Sequence, residues 1–177
     1  KYHYLFGKKW LPLTEKEIKL KYKEGDQIKE HSITAYYSHH GPVIKEENGK
    51  WIAIALMVER EKALIQSYSR TKTKNHQEFK ATMALKTNSS NNTVYADKDG
   101  NIVYYHGNFV PKRDPKFDWR NTVDGSNPAT DWKGLHEVEE MLLIENPENG
   151  WIQNCNSDPF TAAGSFSPKR ESFPAYM

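Results

Sequence analysis

Apolar and charged side chains alternate along Lys16–Tyr22: Ile18, Leu20 and Tyr22 fall on one face, and Lys19 and Lys21, followed by Lys23, on the other. Successive strand residues point to opposite faces, so this period commits the stretch to a half-buried strand. Glu24-Gly25-Asp26 supplies a turn. Gln27–Ser38 then reads as the returning strand, with Ile28, then Ile33, Ala35 and Tyr37 alternating. A long antiparallel hairpin follows, and a helical bundle is disfavoured. The chain's aromatics also tend to fall on alternating positions, which suits sheets.

The neighbouring segments read in the same way. Tyr2–Leu11 forms a hairpin around Gly7-Lys8-Lys9, and Glu46–Lys50 turns the chain again. Trp51–Val58 is nearly all apolar, which predicts a strand buried on both faces. The period then changes. A helical stretch begins at Glu59–Leu64, and a second helix spans Asn75–Lys86. Asn75 is its N-cap and Glu78 its capping-box partner, with Phe79, Ala81, Met83, Ala84 and Leu85 on its apolar face. Thr93–Ala96 and Ile102–Tyr105 pair around Asp97–Asn101, where Asp-Gly suits positive φ. Pro111–Thr130 is irregular, Leu135–Leu142 is either helical or extended, and Gly164–Met177 is polar and irregular. Strands, two helices at about 59–86 and further strands make an α+β arrangement in a single unit of residues 1–177, with 160–177 expected to fray.

Composition removes several function classes. The net charge of +2 on 177 residues provides no global field for nucleic acid or a membrane surface. No apolar run approaches the roughly 18–20 residues that span a bilayer, and no apolar targeting segment follows Lys1-Tyr2-His3-Tyr4. A single cysteine, Cys155, excludes an internal disulfide, and it reads as buried and inert.

The chemistry-bearing stretch is Asn146–Pro159. Asn-Pro-x-x-Gly turns the chain into a short apolar run that ends in Asn154-Cys155-Asn156, and Pro159 blocks continuation. A strand stopping on a fixed carboxamide delivers an N–H donor of the kind an oxyanion site needs. Asn156 is the first candidate and Asn154, on the same strand face, the second; capping of a strand end is the alternative for either. His39-His40 reads as strand, so the two rings point to opposite faces and no metal site is assigned. Glu137, Glu139 and Glu140 read as a solvated face, and Asp97 and Asp99 lack the further oxygen ligands of a calcium loop.

Several stretches carry a family resemblance in order along the chain. His40-Gly41-Pro42-Val43-Ile44, Asn75-His76-Gln77-Glu78-Phe79, Tyr95–Tyr104, Asp131-Trp132-Lys133-Gly134 and Asn146–Pro159 together resemble the penicillin acylase family of N-terminal nucleophile hydrolases. The wording is closer to its acyl-homoserine-lactone and aculeacin acylase branch. The resemblance implies part of a four-layer αββα sandwich and hydrolysis of an N-acyl amide through an acyl-enzyme. It implies that Asn156 is the oxyanion donor, and that His40, Ser67, Tyr68 and Asn91 fall in the substrate-binding region. The nucleophilic N-terminal serine is expected upstream, since Lys1 cannot play that part, so this segment alone is expected to be inactive. The implied partners are the small-molecule substrate and the remaining segments of a self-cleaved precursor; nucleic acid and membranes are not among them. No organic cofactor is implied. The resemblance leaves a structural calcium open for the complete enzyme, with no ligand matched in this chain, and implies that the enzyme is periplasmic or secreted. The alternative is a non-catalytic β-rich module for ligand binding or interaction.

Overall fold

The computed structural model describes residues 2–88 and 91–177, so Lys1 lies outside the described residues. The chain divides into two compact units, one of Lys1–Leu56 with Phe117–Asp131 and the other of Met57–Lys116 with Trp132–Met177.

In the first unit, β1 (His3–Phe6) and β2 (Lys9–Pro12) pair antiparallel across Gly7, whose φ is +60°. The long hairpin is β3 (Thr14–Glu24) and β4 (Gln27–Ser38), in register from Thr14↔Tyr37 to Glu24↔Gln27. Its turn holds Gly25 at φ +60°. β5 (Gly41–Glu47) and β6 (Lys50–Ala53) continue the sheet in the order β3-β4-β5-β6, joined by Asn48 and Gly49 at positive φ. The strands fall where the alternation predicts, but burial does not. Leu20, Tyr22 and Ile33, which share the apolar face of this ribbon, are exposed, since among the described residues of the unit no layer of side chains buries that face; Ile28, opposite Lys23 on the other face, is exposed too.

Trp51–Val58 is corrected in the same way. The strand ends at Ala53, and Trp51, Ile54, Leu56 and Val58 are exposed. β6 is an edge strand, so it lacks the flanking partner that a strand buried on both faces requires. Tyr2, Tyr36 and Trp51 pack against one another instead, with ring centroids 5.1–5.3 Å apart.

In the second unit, α1 (Arg60–Ser69) and α2 (His76–Met83) precede a sheet of β7 (Asn92–Ala96), β8 (Ile102–His106) and β9 (Leu143–Glu145), ordered β7-β8-β9. Asn75 caps α2 as expected: its Oδ1 accepts the Glu78 N–H at 2.9 Å. Glu78 reaches back to the N–H of Lys74 rather than to that of Asn75. The helix stops at Met83 instead of Lys86, and Lys86 takes φ +55°. Only Phe79 and Met83 of the expected apolar face are buried; Ala81 and Ala84 are exposed. Leu135–Leu142 contains one 3-10 turn, at Val138–Glu140, in place of a helix.

β8 is the strand buried on both faces. Val103 and Tyr105 enter one cluster with Phe79, Met83, Val138 and Met141. Tyr104 enters the other, with Leu142, Ile144, Ala162 and Ala163. Residues 160–177 carry three 3-10 turns. There Phe173 and Met177 pack against the two clusters, and the Arg170 guanidinium donates to the carbonyls of Phe173, Pro174 and Ala175. Among the described residues no helix is long and apolar enough to cross a membrane.

Buried amides tie down the segment after α2. Asn108 is fully buried; its Oδ1 accepts the Asn88 N–H, and its Nδ2 donates to the Met83 carbonyl at 2.8 Å. Gln66 Oε1 accepts from both the N–H and the hydroxyl of Thr87. These side chains satisfy the backbone N–H groups of Thr87 and Asn88 just past the helix, and the Met83 carbonyl takes the Lys86 N–H at 3.0 Å as well.

Asp97 organises the β7–β8 turn. Its carboxylate accepts from the Asn101 side chain and backbone N–H, the Tyr95 hydroxyl and the Asp99 N–H. The Asn101 side-chain bond leads these effects, which together hold the Asp97 carboxyl at about 2.

Two outcomes follow. Asn108→Ala orphans the Asn88 N–H, while the Met83 carbonyl keeps the Lys86 N–H at 3.0 Å, and should cost roughly 1–3 kcal/mol for the group left unpaired, read from urea unfolding. Asp97 is depressed in the folded state, so its stabilisation is complete above the ordinary carboxylate value of 3.8 and disappears as pH falls through about 2. Asp118 and Glu140 are depressed in the same direction, so the native protein as a whole loses stability in acid. The stability gap between native protein and Asp97→Asn should therefore narrow from pH 3.8 down to about 2. A gap independent of pH would contradict the assignment.

Candidate functional site

Asn156 stands on a bend, not at a strand end. Residues 151–154 make no ladder, and Asn156 takes φ +55° with its side chain exposed. Asn among non-glycine residues enters the left-handed region at least cost, which accounts for its tolerance here. Its backbone N–H donates to Asn154 Oδ1 at 3.1 Å. Its own carboxamide has no hydrogen-bond partner among the described residues. Asn154 and Asn156 therefore do not share a strand face, and Asn154 holds the bend instead. Cys155, expected to be buried, is exposed on the same bend.

The approach to this bend is laced to the core. Asn146 takes φ +46°, and its Oδ1 accepts the Ile102 N–H at 2.9 Å. Gly150 N–H closes the turn onto the Pro147 carbonyl at 2.9 Å. Asn149 Nδ2 donates to the Ala163 carbonyl, and Gln153 N–H to the Ala162 carbonyl. Ala162 and Ala163 belong to the Tyr104 cluster.

A second support comes from the sheet. Asn92 opens β7 and pairs in register with His106 at the end of β8. His106 Nδ1 lies 2.7 Å from Asn92 Oδ1, which only accepts, so Nδ1 carries the proton. Asn92 Nδ2 reaches Asn154 Oδ1 at 3.4 Å. Burial pushes the His106 imidazole below its usual value, favouring the neutral ring. Sequence reasoning missed Asn92 and His106; extending the Thr93–Ala96/Ile102–Tyr105 pairing by one step would have found them.

The other expected residues divide between the two units. Ser67 and Tyr68 are exposed on α1, and Lys72 Nζ lies 4.4 Å from the Tyr68 ring centroid. Asn91 exchanges hydrogen bonds with Asn88 and directly precedes Asn92. His40 belongs to the first unit, whereas Asn156, Ser67, Tyr68 and Asn91 belong to the second.

His39 and His40 form the turn between β4 and β5, so the strand-based expectation of opposite faces fails. Their ring centroids are 3.7 Å apart. Asp131 Oδ1 lies 3.1 Å from His39 Nε2 and 3.5 Å from His40 Nδ1. Gly41 permits the turn. Its φ is +133°, and a Cβ there would stand 2.2 Å from the Ile54 carbonyl oxygen. Ile54 N–H in turn donates to the Pro42 carbonyl at 3.0 Å, fixing that backbone against Gly41.

Comparison with known proteins matches the penicillin amidase family model over residues 1–175. The chain is 30% identical over 161 residues to penicillin G acylase of Escherichia coli, covering 89% of this chain and 18% of that protein. The chain thus spans about a fifth of that relative's length. Among solved structures it resembles a thermostable penicillin G acylase from Alcaligenes faecalis, with a TM-score of 0.78 at 23% identity, over 95% of this chain and 31% of the other. The likeness in structure establishes a shared fold.

Gly41→Ala should destabilise the protein much more than Gly49→Ala. Both positions have positive φ, but no atom lies within 4 Å of a Cβ at Gly49. Backbone strain alone costs on the order of 1–3 kcal/mol at such a position, and the clash with Ile54 adds to it only at Gly41. Urea midpoints of the two variants make the comparison; equal losses would refute the close-approach argument.

Proposed function

The chain belongs to the penicillin amidase family, and from that premise we propose that it is a segment of an N-acyl amide hydrolase whose oxyanion donor is Asn156. The observation that carries the reading is the exposed Asn156 carboxamide, without a hydrogen-bond partner among the described residues, on a bend held by Asn154 and the Asn92–His106 pair. A donor fixed before reaction stabilises developing charge without reorganising.

In this reading the nucleophile is an N-terminal serine contributed by polypeptide outside these residues. Its hydroxyl oxygen bonds to the amide carbon while its own α-amine takes the proton. The carbonyl oxygen becomes an oxyanion that accepts the Asn156 Nδ2–H. The C–N bond then breaks, the leaving amine takes the proton, and water hydrolyses the resulting ester by the same route in reverse. Asn92 and His106 act through Asn154 as positioning residues. Ser67, Tyr68 and Asn91 are assigned to the substrate side. His40 is not, because its ring is engaged by Gly125 and Asp131.

The test uses the complete, processed protein that carries this segment. Asn156→Ala should lower kcat for N-acyl amide hydrolysis by about 10²–10³, equivalent to about 2.7–4 kcal/mol, with circular dichroism and self-cleavage unchanged. Undiminished turnover in that variant would overturn the assignment of Asn156. Absence of amidase activity from the complete native protein would favour the non-catalytic module instead.

A further inference from the structure

The His39–His40–Asp131 cluster has no part in the reaction proposed above, and its arrangement is chemically specific. One ligand-capable atom from each residue lies within 4.8 Å of the other two. The outer hydrogen bonds decide which atoms are free. His40 Nε2 lies 2.8 Å from the Gly125 carbonyl oxygen, which has no proton to give, so Nε2 carries the hydrogen. In the neutral ring Nδ1 is then a bare lone pair, and it points at a carboxylate oxygen 3.5 Å away. Two acceptors facing each other repel unless a cation lies between them.

The two rings are held from outside. Tyr4 hydroxyl accepts the His39 backbone N–H at 3.1 Å and lies 2.8 Å from His39 Nδ1. With Nδ1–H directed to that oxygen, Nε2 presents its lone pair to the Asp131 side. Phe6 packs edge-on to His39 with centroids 4.4 Å apart. A Cβ at Gly125 would come within 3.0 Å of His40 Nε2, so a glycine there admits the ring. A backbone carbonyl and a hydroxyl on the non-ligating nitrogens are the usual outer partners of metal-bound histidines.

We infer that His39 Nε2, His40 Nδ1 and an Asp131 carboxylate oxygen bind a divalent ion of the zinc class. Ligands about 2.0–2.1 Å from a tetrahedral zinc sit roughly 3.3–3.4 Å apart, close to the 3.1 and 3.5 Å between Asp131 and the two rings. Two imidazoles with one carboxylate suit zinc and its transition-metal neighbours and not calcium or magnesium, which take mainly oxygen ligands. The side chains are 21–39% exposed, which leaves a coordination position for water. The ion clips the β4–β5 turn to the segment ending at Asp131.

The test is calorimetric titration of the EDTA-treated full chain with zinc chloride, with cobalt(II) absorption as the reporter of geometry. One equivalent should bind, cobalt should give the intense visible bands of tetrahedral coordination, and zinc should raise Tm. His39→Ala and Asp131→Ala should each weaken zinc at least tenfold. Tyr4→Phe, which keeps the ring packing, should weaken it about 10-fold through the lost outer partner. His3→Gln and His31→Gln, which alter exposed histidines elsewhere, should change nothing. Circular dichroism of each variant separates lost binding from lost folding, and Tyr4→Phe keeps the test decisive where an alanine variant unfolds. No zinc binding would overturn the proposal. Zinc binding that survives all three site variants, or calcium binding of equal strength, would overturn it as well.

Discussion

The second unit depends on the burial of β8 on both faces. Val103 and Tyr104 are at most 1% exposed and Tyr105 is 2%, and their alternation sends them into opposite clusters. A strand so placed cannot slip by one residue, since every side chain would change face. Its neighbours are therefore fixed in register, and so are the polar groups at its ends. At one end Asn146 takes the Ile102 N–H; at the other His106 meets Asn92. Tyr105 also reaches His76 at the start of α2, with 2.7 Å between hydroxyl and Nε2. Burial pushes the Tyr105 phenol far up, so it remains a neutral hydrogen-bonding group.

Local geometry was legible in the sequence because it is encoded locally. The Asp-Gly and Asn-Gly turns, the β3–β4 hairpin and the Asn75 cap each depend on a few adjacent residues with strong backbone preferences. Burial was not legible, because alternation reports which face is apolar and not what covers it. Leu20 and Tyr22 satisfy the strand pattern yet are 49% and 46% exposed. Trp51–Val58 has the composition of a central strand but sits at a sheet edge, while the truly central strand carries two tyrosines and a histidine.

Of the candidate site, the sequence singles out Asn156 by its motif but not the contacts that surround it. Asn92, His106 and the Ala162–Ala163 backbone reach it from across the sheet and from a later turn. The pairing of His39 with His40 was missed because the strand rule was applied one residue too far. β4 ends at Ser38, and a turn places neighbouring side chains side by side where a strand separates them. The glycine that makes this turn was in plain view, but its necessity comes from the Ile54 carbonyl thirteen residues on.

Asparagine at position 156 satisfies two demands at once. The bend needs φ near +55°, which penalises most side chains, and the proposed chemistry needs an uncharged N–H donor facing outward. Glycine would meet only the first. Glutamine would meet only the second, and its extra rotor would loosen the donor. An aspartate would tolerate the backbone but place a negative charge where negative charge is to be stabilised. The neighbouring Asn154 shows why two amides occur together. Its Oδ1 is consumed in holding the Asn156 N–H and receiving Asn92, so the positioning role and the donor role fall to different residues. In the proposed reading, Asn154 supplies the acceptor that fixes the bend and Asn156 the outward donor.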